Sequence, residues 1–455
     1  MHLRRHPLSG ALSDSSDNNS GRAEFAPGNF DPRTDAVMQC PYPFFDRLRD
    51  EDPVHRMDGA LVGRPGEQVY AVTRHDLVSQ VLMDWRTYSS RFGSPASSPP
   101  DHLLAQLREI AAGGWKRPPT MLTADPPVHT RYRKLVAKAF TPGRVASLAP
   151  TIQRICNDLV AGFAVDGPVD FLTDYCVPIP TRTIAAALGV PEGRFADFKR
   201  WADASVAAIG RQLNDDGWLT AGRGVVELQQ YFAGEFVARN IKPCDDLLTD
   251  LLRARLYPDD GLEDGVSGEP LSMAELLSIV QQLQVAGSET TASLIADAVV
   301  LLADHPDEWD RVAGESARAT AVVEECLRLA SPNQGMFRVV NDDTELGGVA
   351  IPQGSTMWVL FGAANRDAAA YPRPADFDPG RDHAAQHLAF GRGPHYCIGA
   401  PLARLEATIA LQTLARAFSR VEPVDRESLR YAPSAILRGL EHLEVRVTLR
   451  TVVAP

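Results

Sequence analysis

From Ser272 to Pro306 the chain reads SMAELLSIVQQLQVAGSETTASLIADAVVLLADHP, a mostly apolar run at helical spacing. Ser272 and Glu275 form a capping box at its start. Asp304-His305-Pro306 ends it, because the residue before a proline disfavours helical backbone. The spacing predicts a helix on the order of 50 Å long at 1.5 Å per residue. An average globular helix has only ~11–12 residues. A helix this long and this apolar is expected to cross the whole molecule. Its middle, Ala286-Gly287-Ser288-Glu289-Thr290-Thr291, is poor helix material. Two readings stay open there: a deliberately weakened hydrogen-bond ladder, or close packing against a small residue.

Other patterns are shorter. PTRTIAAALGVP reads as a helix closed by Gly189 and Pro191. Asp52 to Thr73 reads as an extended hairpin around Gly63-Arg64-Pro65-Gly66. Leu443, Val445, Val447 and Leu449 alternate with polar residues, the period of a half-buried strand. Residues 1–30 are rich in Ser, Asp, Asn and Gly and read as a disordered tail. Residues 31–455 then form one domain, mainly α with small β-sheets, and no internal repeat is visible.

Composition narrows the function. The chain has 455 residues, of which 44% are hydrophobic and 23% charged, enough for a large core. A formal net charge of -12 argues against nucleic acid or an anionic membrane surface as partner. Six cysteines are scattered without a C-x-x-C pair, which fits reduced thiols in a cytoplasm and no four-cysteine zinc site. The N-terminus has no apolar signal region, and no uninterrupted apolar run reaches the ~18 residues of a membrane span. No membrane anchor is expected.

One cysteine stands out, in HLAFGRGPHYCIGA (His387–Ala400). A random cysteine is usually buried filler. Around Cys397, however, Gly391, Gly393 and Gly399 let backbone approach the sulfur and aim N–H groups at it. A helix is expected to start just after it, with its positive end favouring thiolate. His395 and Arg392 are expected to add positive charge. A metal-bound thiolate and a Cys–His nucleophile both remain open on these residues alone.

The pattern Phe390-Gly391-x-Gly393-x-His395-x-Cys397-x-Gly399 resembles the haem-ligand loop of the cytochrome P-450 monooxygenases. The resemblance extends in order over most of the chain after residue 40. It implies that fold, α+β with a long central helix, and one haem b whose iron binds Cys397. Phe390, Gly391 and Gly399 would shape the cofactor loop. His129 and Arg133 in HTRYR, with Arg338 and His395, would hold the haem propionates. Glu289 and Thr290 resemble the acid–threonine pair that manages proton delivery to dioxygen, with the helix opening locally near Gly287. Glu325 and Arg328, completed by Arg381, would form a buried structural network.

Pocket walls are assigned by position. Phe92 lies in a stretch from Arg91 to Lys116 expected to be a loop. Val285, Ala286, Met336 and Phe337 are expected close to the iron, and Ile436 and Leu437 in a substrate-touching turn. Gln282, an amide on an otherwise apolar helix face, is expected to offer a polar handle. The resemblance implies oxygen insertion into a hydrophobic small molecule by a cytoplasmic enzyme, a monomer. Electrons would come from NAD(P)H through a ferredoxin and its reductase, with Arg392 and Arg404 contributing to docking. Peroxide-driven turnover is the rival enzymatic reading. A haem-free partner-binding homologue is the non-enzymatic one.

Overall fold

The computed structural model describes residues 30–93, 98–209, 213–256 and 268–451. The expected tail therefore lies outside the described residues except for its last member. Phe30 is 3% exposed and meets Phe45, His55 and Trp358, so the packed domain already includes it.

The long helix spans Met273–Leu302, 30 residues. Its capping box forms: the Ser272 hydroxyl accepts from the Glu275 N–H, and Glu275 Oε2 accepts from the Ser272 N–H at 2.7 Å. From Thr291 to Leu302 every residue is buried. The helices Pro178–Ala187, Ser316–Ala330 and Ala400–Ala417 pack around it. By length and composition it is the one helix among the described residues that could cross a membrane, yet it is buried in this core. Gly189 ends the Pro178–Ala187 helix at φ 68°, a left-handed conformation that only glycine adopts without strain.

A five-stranded sheet lies to one side. Its order is Val54–Asp58, Gln68–Val72, Thr356–Leu360, Gly335–Val340 and Tyr88–Ser89. The first two form the expected hairpin, and Gly63 and Gly66 turn it with positive φ. Thr356–Leu360 runs parallel to Gln68–Val72 and antiparallel to Gly335–Val340. Glu444–Leu449 pairs with Phe418–Pro423 in a second sheet, and the alternation buries Leu443, Val445 and Val447, whereas Leu449 at the strand's end is exposed.

Two expectations change. The stretch 91–116 is not all loop: it holds a 3-10 turn, Asp101–Leu103, and a helix, Leu104–Ala111. Leu103 packs with Ala208 and Trp218. The long helix is also unbroken at Gly287. A Cβ at Gly287 would lie 3.9 Å from Ile184, ordinary contact, so packing alone does not demand glycine there.

Candidate active site

Cys397 sits between a 3-10 turn, Gly393–His395, and the N-terminus of the Ala400–Ala417 helix. Its N–H donates to the Phe390 carbonyl at 2.9 Å, closing the loop on itself. Gly391 and Gly393 take φ of 67° and 70°. A Cβ on Gly393 would lie 2.6 Å from the Leu82 carbonyl oxygen, so this glycine lets the loop pack on its neighbour and does not serve the sulfur. Burial raises the Cys397 pKa; the Gly399 N–H, Arg133, the Ala400 N–H and Arg404 pull it down. The net direction is upward, and a bound cation would oppose it.

The positive charge comes from other residues than the sequence suggested. Burial, then Arg338, pushes the His395 pKa down to about 2, which opposes a positive charge there. Arg392 is exposed and reaches Ser79 Oγ at 3.4 Å. Arg404 lies closer to the sulfur's field, and it pairs with Glu324 at 2.5 and 2.9 Å while donating to Tyr396 at 3.0 Å. Its guanidinium also covers the Phe390 ring at 4.7 Å.

One cavity is lined by Cys397 and by His129, Arg133, Arg338 and His395 together. Helical spacing places His129 and Arg133 on one face of Val128–Ala137. The His129 and His395 rings lie 4.0 Å apart. Among the described residues both ring nitrogens of His129 are buried without a partner, and burial with Arg133 lowers its pKa to about 4. Arg338 is 5% exposed and donates to the carbonyl of its neighbour Phe337; burial lowers its pKa to about 10. Two guanidiniums and an imidazole whose N–H lacks an acceptor, in an apolar wall, are groups that need carboxylates. Haem brings two carboxylates and an iron for the sulfur, so these residues fit it.

The long helix contributes a further part of the wall. Val285, Ala286, Gly287, Glu289 and Thr290 all line the cavity, and Ala286 is exposed to it. The Thr290 hydroxyl donates to the Ala286 carbonyl at 3.0 Å, one turn back. Glu289 lines this cavity and a second one, where Lys199, Asp203, Glu441 and His442 are found.

Gln282 touches the cavity but its amide is already engaged. Its Oε1 accepts from the Leu122 N–H at 3.0 Å, and its Nε2 meets Thr120 and Ser278. It is an anchor for the Thr120–Leu122 loop, not the free handle the pattern suggested. Gln281 and Gln284 are likewise turned to protein, toward Ser205 and the Phe198 carbonyl. Met336, Ile436 and Leu437 line the cavity as expected. Phe92 and Phe337 do not. Strand alternation sends Met336 and Arg338 to the cavity and Phe337 to the other face, where it meets Phe92 and Trp358.

Glu325 and Arg328 are fully buried and paired at 2.7 Å, and Arg381 joins Glu325 at 3.2 Å. Arg328 also donates to the carbonyls of Asn365, Pro374 and Asp376, tying the segment before the Cys loop to its helix.

A family model described as cytochrome P-450 matches residues 232–439. Cytochrome P-450 107B1 of Saccharopolyspora erythraea is 35% identical over 421 residues, covering 90% of this chain and 96% of that protein. The chain belongs to the cytochrome P-450 family. The 6-deoxyerythronolide B hydroxylase of the same organism is 38% identical over 328 residues, 72% of this chain and 78% of that one. The structure of CYP109Q5 from Chondromyces apiculatus is similar with a TM-score of 0.79 at 35% identity, covering 94% of this chain and 100% of that chain. This chain is a cytochrome P-450 monooxygenase, of the family that works with haem, a cysteine thiolate and dioxygen.

Some groups of this P-450 site carried no sequence signal. The Ser90 hydroxyl meets His395 Nε2 at 2.9 Å, and Asp125 takes the Ser90 N–H at 2.7 Å. Only folding brings residues so far apart in sequence together. Arg117 also lines the cavity, and nothing in its local sequence marks it.

Proposed function

We propose that Cys397 binds the haem iron and that the cavity oxidises a mainly hydrophobic small molecule by inserting one oxygen atom. The reading is supported by one observation: the thiol, the two carboxylate-seeking arginines and the acid–threonine pair line a single cavity. Haem, when bound, supplies the binding and reductive activation of dioxygen. The chain supplies the rest. Arg133 and Arg338 neutralise the two propionates, and His129 and His395 complete the hydrogen bonding. Phe390, Gly391 and Gly399 shape the loop, and backbone N–H groups at Gly399 and Ala400 support negative charge on the sulfur.

Thr290 holds a hydroxyl proton at the cavity wall, now directed at the Ala286 carbonyl. Glu289 stands where both cavities meet the helix, so it can take a proton from the second and pass it inward. Val285, Ala286, Met336, Ile436 and Leu437 give the apolar surface that orients substrate and excludes water. Glu325, Arg328 and Arg381 hold the segment ahead of the Cys loop and take no part in proton transfer. Electrons reach the site from NAD(P)H through a ferredoxin and its reductase, in the cytoplasm.

Cys397→Ala tests this reading. The ferrous carbon-monoxide adduct of the wild type should show the red-displaced band of thiolate ligation, and the variant should lack it. A variant that keeps the band sinks the assignment.

A further inference from the structure

Besides Arg133, Arg338 and the exposed Arg392, a further guanidinium, that of Arg117, belongs to the cavity wall. Arg117 lines the same cavity, from the segment Arg117–Thr123. No hydrogen bond or ion pair engages it among the described residues. It also stands apart from the propionate set. Arg133 and Arg338 both bear on His129 and His395, whereas Arg117 bears on neither. Its side chain is exposed, yet burial by the surrounding protein lowers its pKa.

The segment is anchored to the long helix. The Pro118 carbonyl accepts from Ser278 Oγ at 3.1 Å, and the Leu122 N–H donates to Gln282 Oε1 at 3.0 Å. Thr120 Oγ1 lies between them, 3.2 Å from Ser278 Oγ. The engaged amide of Gln282 thus fixes the stretch that carries Arg117. Beside it, Met121, Leu122 and Leu283 give apolar surface.

Resting on the haem-monooxygenase reading, we propose that Arg117 selects substrates that carry an anionic oxygen head group, a carboxylate or a phosphate monoester, on an apolar body. Among the described residues no protein carboxylate pairs with this guanidinium, and its planar fork matches two oxygens of such a group. A neutral analogue would leave the charge unpaired, which is how a polar site rejects a ligand lacking its partner.

Calorimetric titration of the holoenzyme with dodecanoic acid, dodecyl phosphate and dodecan-1-ol tests this. At least one anion should bind about tenfold or more tightly than the alcohol, the scale of one charged hydrogen bond. The carboxylate and phosphate arms identify which head group is preferred. Arg117→Gln should abolish the preference, and Arg117→Lys should keep part of it. Equal affinities for anions and alcohol in the wild type overturn the proposal, as does a preference that survives Arg117→Gln. Haem loss from Arg117→Gln with the preference intact also overturns it, by assigning Arg117 to the propionates. Failure of the haem reading is a separate result: wild-type protein without a Soret band, in which calorimetry still reports on Arg117.

Discussion

Met336 and Phe337 are neighbours in one strand and face opposite ways. Met336 lines the cavity; Phe337 packs against Phe92 and Trp358 behind it. Met336→Ala should therefore change ligand affinity several-fold, read by titration, with little effect on melting. Phe92→Ala should do the reverse, losing about 3–5 kcal/mol of stability as buried aromatic truncations do, with ligand affinity nearly unchanged. Arg338 carries a different burden, since its buried guanidinium hydrogen-bonds, among the described residues, a neighbouring carbonyl and no carboxylate. Arg338→Met should weaken haem retention by about ten- to a hundredfold, the equivalent of one charged hydrogen bond, measured as haem transfer to an acceptor protein.

Among the elements, the long helix carries two kinds of polar group. Thr290 and Glu289 face cavities, whereas Asp297 lies inside the core. Its Oδ1 accepts from the Tyr431 hydroxyl at 2.9 Å and its Oδ2 has no partner among the described residues. Burial raises its pKa to about 7, although Arg438 and Tyr431 oppose this. The folded state thus holds the proton more tightly than the unfolded chain. The resulting stability is full below the unfolded value near 3.8 and is lost as pH rises through about 7. Asp297→Asn keeps the acceptor for Tyr431 and removes this dependence. Its melting temperature should exceed that of wild type more at pH 8 than at pH 5. A gap that stays constant or widens toward acid contradicts the assignment. The Glu325–Arg328 pair on the Ser316–Ala330 helix behaves otherwise, because both members are fully buried and mutually satisfied. Its pattern, E-x-x-R, was legible in sequence; its burial was not, since the same spacing is common on solvated faces.

For the whole molecule, the two arginines expected at a docking face have separate duties. Arg404 is bound to Glu324 and Tyr396 and covers Phe390, so it braces the Cys loop from below. Arg392 is exposed. Charge reversal at Arg392 should slow reduction by a ferredoxin and flatten its salt dependence, seen by stopped flow. Charge reversal at Arg404 should instead lower the melting temperature and shed haem, because it leaves Glu324 facing a second carboxylate.

The sequence by itself determined what short-range chemistry can encode. The long helix with its capping box, the hairpin turned by Gly63 and Gly66, the alternating C-terminal strand and the glycine-flanked Cys397 depend on neighbours a few residues apart. Tertiary structure alone decided which face of a strand or helix met the cavity and which side chains were already spoken for. It turned Phe337 away, engaged Gln282 with the Thr120–Leu122 loop, set His395 beside His129 and Ser90, and placed Arg117 at the wall of the Cys397 cavity. Periodicity states that two faces exist, but only the packing of distant segments sets which one is dry, charged or free.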